Sequence, residues 1–226
     1  TNFIPRFLAP IASVCFLISC AVIDKTIHPD SKPASPPRPT YAQILKENYK
    51  GPKARTVVIK FADKSSGSEM SKVGDGVAEM LCKALLATKR YVVQMRKSSG
   101  DIIKNQEVKE GRRLSKEEDI DLLVEGVVKE FKPGIPGASE GSGGTSYITL
   151  TVTVTDPRTN QALATEKVKG KAADMGGTSV RHDALPEVFK DFSKTPMEKA
   201  IRAVVEESAS FIVAKTPPES YRVSPA

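Results

Sequence analysis

The chain has 226 residues and a formal charge of +7; 39% of it is hydrophobic and 27% charged, with three cysteines, two histidines and no tryptophan. That length accommodates one ordinary domain, since single domains usually run about 100–200 residues, and the composition excludes a collagen, a coiled coil, a disulfide mini-domain and a multi-span membrane protein. Two histidines and three cysteines leave few parts for metal or nucleophilic chemistry, and the positive charge raises a nucleic-acid reading that must be tested against its distribution.

At the start, Arg6 precedes an apolar run from Phe7 to Ser19 that stops abruptly at polar sequence. A membrane-spanning helix needs about 17–25 apolar residues, so a run this short suits the core of a signal peptide. Leu17-Ile18-Ser19-Cys20 resembles a bacterial lipobox, in which small side chains flank the scissile bond and the cysteine thiol takes the lipid. Residues 1–19 are therefore expected to be a lipoprotein signal peptide, and Cys20 the lipid-bearing residue. Ala21 rather than Asp follows that cysteine, which points to outer-membrane sorting. Processing there removes Arg6 and Cys15, leaving a formal +6 and Cys82 as the single thiol.

From Asp24 to about Pro52 the composition shifts: Pro29, Pro33, Pro36, Pro37 and Pro39 sit among Ser, Lys and Asp. Such a stretch favours extended conformations and cannot bury enough surface to fold alone. Residues 20–50 are expected to be a lipid anchor and tether, with one short docking helix over Tyr41–Glu47. Residues 216–226, opening on Pro217-Pro218, are expected to be a mobile tail.

Between tether and tail the periodicities alternate. Thr56–Phe61 is a compact β-branched run, a strand; Val73, Val77, Met80, Leu81, Ala84 and Leu85 then share one face of a helix. Arg90–Met95 returns to strand character. Asp101–Glu110 reads as a short polar helix capped by Asp101, and Ser115 with Glu118 matches a capping box. Asp121–Val128 is the next strand. Tyr147–Thr155 is the clearest one, with Ile148, Leu150, Val152 and Val154 on one face and threonines on the other. Asp156–Asn160 is a turn cluster, and Ala162–Lys171 is its hairpin partner. Thr195-Pro196-Met197-Glu198 opens a helix with cap, N1 proline and capping-box Glu in register; Ile201, Val204, Val205, Ser208, Phe211 and Ile212 give it one buried face. The fold class is α/β (α+β): a single mixed-sheet domain over 51–215, in the order β-α-β-α-β-β-β-α, with helices packed on the sheet.

This order and its motifs resemble the curli-secretion lipoprotein family (CsgG-like). The matching stretches are Thr56–Ser65, Val73–Leu81, Lys89–Val93, Asp121–Val127, and Leu150–Ala164 with its Asp156-Pro157-Arg158 turn. The resemblance implies a periplasmic α/β domain on an outer-membrane lipid anchor, without catalytic residues. It also implies a non-enzymatic role in an export or cell-surface assembly machine. Two other roles are compatible with such a domain: a tethered activator of a peptidoglycan synthase, and a pore-forming channel subunit. Pore-forming members thread two β-hairpins per subunit into the membrane, and a membrane strand needs about 9–11 residues of apolar alternation. Here Lys132–Ser146 is rich in glycine with Ile135 as its only large apolar side chain, and Ala172–Lys194 shows no sustained alternation. Both read against insertion.

The candidate partner-contact loop is Asp63, Lys64, Ser65 and Ser66, where a strand runs toward a helix and α/β proteins often place ligands. Gly74-Asp75-Gly76 lacks a full dinucleotide or P-loop pattern and reads as a turn into the helix. Cys82 reads as a packed thiol, His28 and His182 as surface residues without metal-ligand spacing, and Glu117-Glu118-Asp119 as a solvated helix face. No catalytic constellation, metal site, cofactor site or small-molecule substrate is expected. The lysines and arginines are spread in mixed clusters such as Lys109–Arg113 and Lys167–Lys171, without aromatic interleaving, so no nucleic-acid partner is expected. The partners expected instead are the membrane, through the lipid on Cys20, and an envelope protein or further copies of the chain.

Overall fold

In the computed structural model, residues 38–65, 72–97, 120–134, 145–173 and 184–224 are described. β1 (Ala54–Ile59) lies parallel between β3 (Tyr91–Arg96) and β4 (Leu122–Lys132), because α2 (Val73–Ala87) carries the chain over the sheet before β3. β5 (Ser146–Asp156) and β6 (Gln161–Ala172) then add antiparallel, giving the order β3-β1-β4-β5-β6, with the two-residue β2 (Ala62–Asp63) beside β4. The mixed sheet expected from the sequence is present. The polar helix at 101–110 and the capping box at 115–118 lie outside the described residues.

One face of the sheet carries the core. Ile148, Leu150, Val152 and Val154 alternate inward along β5 and are fully buried under α2, α3 (Pro196–Lys215) and a 3-10 helix (Glu187–Phe192). The aliphatic face of α3, with Ile201, Val204 and Ile212, meets them. Approach is close: at Gly170 of β6 a Cβ would overlap the Ala200 carbonyl oxygen of α3, so only glycine fits. Phe189 of the 3-10 helix stacks on Phe131 of β4, with ring centroids 6.3 Å apart.

Three expectations change. The domain does not begin at residue 51. α1 (Tyr41–Lys46), opened by a Thr40–Gln43 capping box, buries Tyr41 and Ile44, and the Tyr41 hydroxyl donates to the Ala84 carbonyl at 3.0 Å. Ahead of it, Arg38 binds Glu166 of β6 at 2.7 Å and Glu207 of α3. Nor is the segment after Lys215 a mobile tail as far as Ser224. The Tyr91 hydroxyl hydrogen-bonds those of Thr216 (2.8 Å) and Tyr221 (3.3 Å), Val223 bridges Lys53, and the Arg222 guanidinium reaches the buried Asp121 carboxylate. Both ends hold because a few aromatic and charged side chains find distant partners, despite proline-rich surroundings. The third change is at α3. Pro196 occupies its first turn, but the Thr195 hydroxyl donates back to Phe192 (2.6 Å) instead of capping. Glu198 accepts from the Lys194 amide (2.7 Å) and pairs with Arg202, so the capping box is replaced by a link to the preceding turn.

Candidate partner-binding surface

After β1 the backbone breaks out of its pairing: the Lys60 amide still donates to Arg96, while the Lys60 ammonium pairs with Asp75 at 2.5 Å. Phe61 turns inward and packs where Gly74 and Gly126 have no side chains; a Cβ at either would collide with Phe61. Gly74-Asp75-Gly76 therefore lies inside the first turn of α2 and serves close packing and an ion pair, where a turn ahead of the helix was expected. The chain re-enters the sheet as β2, pairing Asp63 with Val128. The Asp63 carboxylate then accepts from the Ser65 amide (2.9 Å) and hydroxyl (2.6 Å), a turn closed by its own side chain. Among the described residues, its second oxygen is buried without a hydrogen-bond partner. Of the sequence-predicted loop, Asp63 and Ser65 are thus joined, Lys64 stands exposed, and Ser66 lies outside the described residues, as does Cys20.

The opposite sheet face is chemically different. Cross-strand register sets Lys132, Tyr147 and Lys171 side by side, then Glu130, Thr149 and Lys169, then Val127, Thr151 and Lys167. The Lys132 and Lys169 ammonium groups lie 5.4 and 4.3 Å from the centre of the Tyr147 ring, within cation–π range. The Thr149 hydroxyl donates to Glu130 at 2.8 Å. That hydrogen bond, followed by the fields of Lys169, Lys167 and Lys132, holds the Glu130 carboxyl below its ordinary pKa; hydrogen bonding to Tyr147 raises that of Lys132. Toward β1 the same face changes to a small apolar cluster of Val57, Ile59, Ile120 and Leu123.

Sequence reasoning named Lys167–Lys171 only as one of several mixed clusters without aromatic interleaving, and not its meeting with Lys132 and Tyr147. Alternation marks which residues share a face of one strand; only register says which strands bring them together. What this surface presents is charge and hydroxyl groups. Cys82, the one cysteine among the described residues, is quiet: burial first, and then Glu79, push its pKa up to about 12, so it stays protonated and poorly nucleophilic. Among the described residues, no group of three or more His, Cys, Asp or Glu side chains is placed to hold a metal ion, and no helix is long and apolar enough to cross a membrane.

The fold just described coincides with a family: the model for the curli production assembly/transport component CsgG matches residues 39–221. The chain belongs to that family. The match begins two residues before α1 and ends at Tyr221, just inside the Arg38, Arg222 and Val223 contacts that close the domain. No curated protein matches the chain. Among solved structures, protein XCC0632 from Xanthomonas campestris is similar at 10% identity and TM-score 0.47, over 77% of this chain and 92% of that one. The hypothetical protein CT253 from Chlamydia trachomatis is similar at 14% identity and TM-score 0.46, over 72% and 99%. A PelC dodecamer from Paraburkholderia phytofirmans gives 11% identity and TM-score 0.44, over 72% and 91%. These likenesses are distant, and the family assignment rests on the sequence model alone.

Proposed function

We propose that this CsgG-family chain is a non-enzymatic component of an export or cell-surface assembly machine, anchored by acylated Cys20 to the periplasmic face of the outer membrane. It acts by docking an envelope protein or further copies of itself. The observation that carries this reading is the family match over residues 39–221, which spans the described domain. The lipobox-like Leu17-Ile18-Ser19-Cys20 supports the anchor, and the proline-rich residues that follow supply the leash.

Metabolic labelling with a fatty-acid analogue tests the anchor: the chain is labelled and fractionates with outer membranes, and Cys20→Ala abolishes both. Labelling that survives Cys20→Ala overturns it. In-cell cross-linking tests the machine: the expected products are complexes with an envelope export protein or higher copies of the chain. Stimulation of glycan-strand polymerisation by the purified chain would assign it instead to regulation of a peptidoglycan synthase. Ion conductance in planar bilayers would assign it to a channel.

A further inference from the structure

On the sheet face turned away from α2 and α3, lysines gather at the β4–β6 end. Lys167, Lys169 and Lys171 project in the same direction from alternate positions of β6, about 7 Å apart, and all are exposed. Lys132 joins them from β4, two strands away, across Tyr147. Lysine on an edge strand blunts unwanted sheet pairing. That accounts for part of the β6 row, but not for why Lys132, beyond the last β2–β4 pair at Asp63 and Val128, presents its charge on the same side across Tyr147. Glu130 is the one acid that the described cross-strand register places among the four. Like charges held this close repel, so the array favours an anionic surface that supplies the missing counter-charge.

Two features say what kind of surface. The four lysines stand on neighbouring strands of one sheet face and define an extended plane, which suits a planar array of phosphates. The chain also enters the domain beside them: Arg38 is fixed to Glu166, the residue next to Lys167 on β6. The eighteen residues from Cys20 to Pro37 can span at most about 60 Å, so a lipid on Cys20 holds the lysine strand within reach of a bilayer. One acyl chain together with a polybasic patch is a sufficient pair of membrane signals.

We propose that the face formed by Lys132, Lys167, Lys169 and Lys171 docks on anionic phospholipid headgroups, orienting the tethered domain with this basic β4–β6 end against the membrane. The proximity argument rests on the Cys20 anchor proposed above, but the docking itself is separable from it.

The test uses the processed chain from residue 20 with Cys20→Ser, so that no lipid is attached. It is sedimented with vesicles of phosphatidylcholine alone or of three parts phosphatidylcholine to one part phosphatidylglycerol. Binding is expected only to the second, weakening as salt rises. Each Lys→Gln change on the face should lower partitioning by about fivefold, and the quadruple variant by about 600-fold if the four act independently. Lys→Arg at the same four positions should retain binding. A control replaces Lys46, Lys89, Lys190 and Lys215, exposed lysines on other elements, with Gln; it keeps the same net charge as the quadruple variant and should bind like the parent. Unchanged melting temperature verifies that each variant folds. Equal binding to both vesicles, equal losses in face and control variants, or no binding to the anionic vesicles overturns the proposal. Failure of acyl labelling at Cys20 would leave the vesicle result standing, so the two readings fail separately.

Discussion

On β5, Ile148, Leu150, Val152 and Val154 disappear beneath helices, while Tyr147, Thr151 and Thr153, one residue apart from them, stay partly exposed. Each face has a separate task. The covered face supplies the stability that comes from removing apolar area from water, about 25 cal/mol per Å². The other face is mixed: Lys132, Lys167, Lys169 and Lys171 are exposed at its β4–β6 end, whereas Thr149 is fully buried and Val57, Ile59, Ile120 and Leu123 form a buried cluster toward β1.

The sharpest way to break that contrast is at the centre of the covered face. Phe189 is fully buried against Phe131, and Phe189→Ala should cost about 3–5 kcal/mol in urea unfolding, from lost transfer energy and the cavity left behind. On the open face, Thr153→Ala should stay within about 0.5 kcal/mol of the parent. Similar costs at both positions would show that the two faces are not divided as described.

The second prediction concerns the closure of the chain ends. Asp121 is 1% exposed and accepts from the Arg55 amide at 2.8 Å, the Arg55 guanidinium, and Arg222. Removing it leaves a buried amide without this acceptor and frees the C-terminal segment. Both arginines keep some solvent, so Asp121→Ala should cost about 2 kcal/mol, less than the loss of a fully buried pair. Amide exchange at Tyr221–Val223 should accelerate beyond what the global change explains; exchange that tracks global stability alone would sink the idea.

These two sites also show what a sequence can and cannot disclose. The core face of β5 and the buried stripe of α3 were legible because burial imprints a local period of two or 3.6 residues. The role of Arg222 was not, since its partner lies 101 residues away and the surrounding prolines read as disorder. The short docking helix over Tyr41–Glu47 was legible as a helix, and Tyr41 and Ile44 are indeed buried in it, whereas the Arg38 pairs ahead of it were not, since Glu166 and Glu207 lie far along the chain. The basic face depended on a finer detail. A register shift between Val128 and Glu130 puts Glu130, not Lys129, opposite Thr149. An unshifted ladder would have placed a lysine there.

On the helix side, pH separates the faces more gently. Burial raises the Glu198 pKa, but the Lys194 amide and Arg202 outweigh it and hold the group below its ordinary 4.5. A carboxyl lowered by folding contributes fully above its unfolded pKa and loses that contribution as pH falls through the folded value. Stability should therefore decline below about pH 4.5 with a component, under about 1 kcal/mol, that Glu198→Gln removes. An identical acid profile for the variant would count against it.

The smallest effect lies on the open face and tests whether its electrostatics are local or shared. Glu130 is lowered first by the Thr149 hydroxyl and only then by Lys169, Lys167 and Lys132. Thr149→Val should thus raise the Glu130 titration midpoint, followed by carboxyl-carbon NMR, more than Lys169→Gln does. Added salt should move the lysine contribution and leave the hydroxyl contribution nearly untouched, because a direct hydrogen bond is not screened across a Debye length. Lys169→Gln should hardly change global stability, because Lys169 is exposed; Thr149 is fully buried, so the melting temperature of Thr149→Val is measured alongside its titration. If Lys169→Gln instead shifts the midpoint more than Thr149→Val, the four lysines act on Glu130 as one field. The carboxylate would then belong to the basic array itself, and its protonation would strengthen the attraction of that face for anionic headgroups.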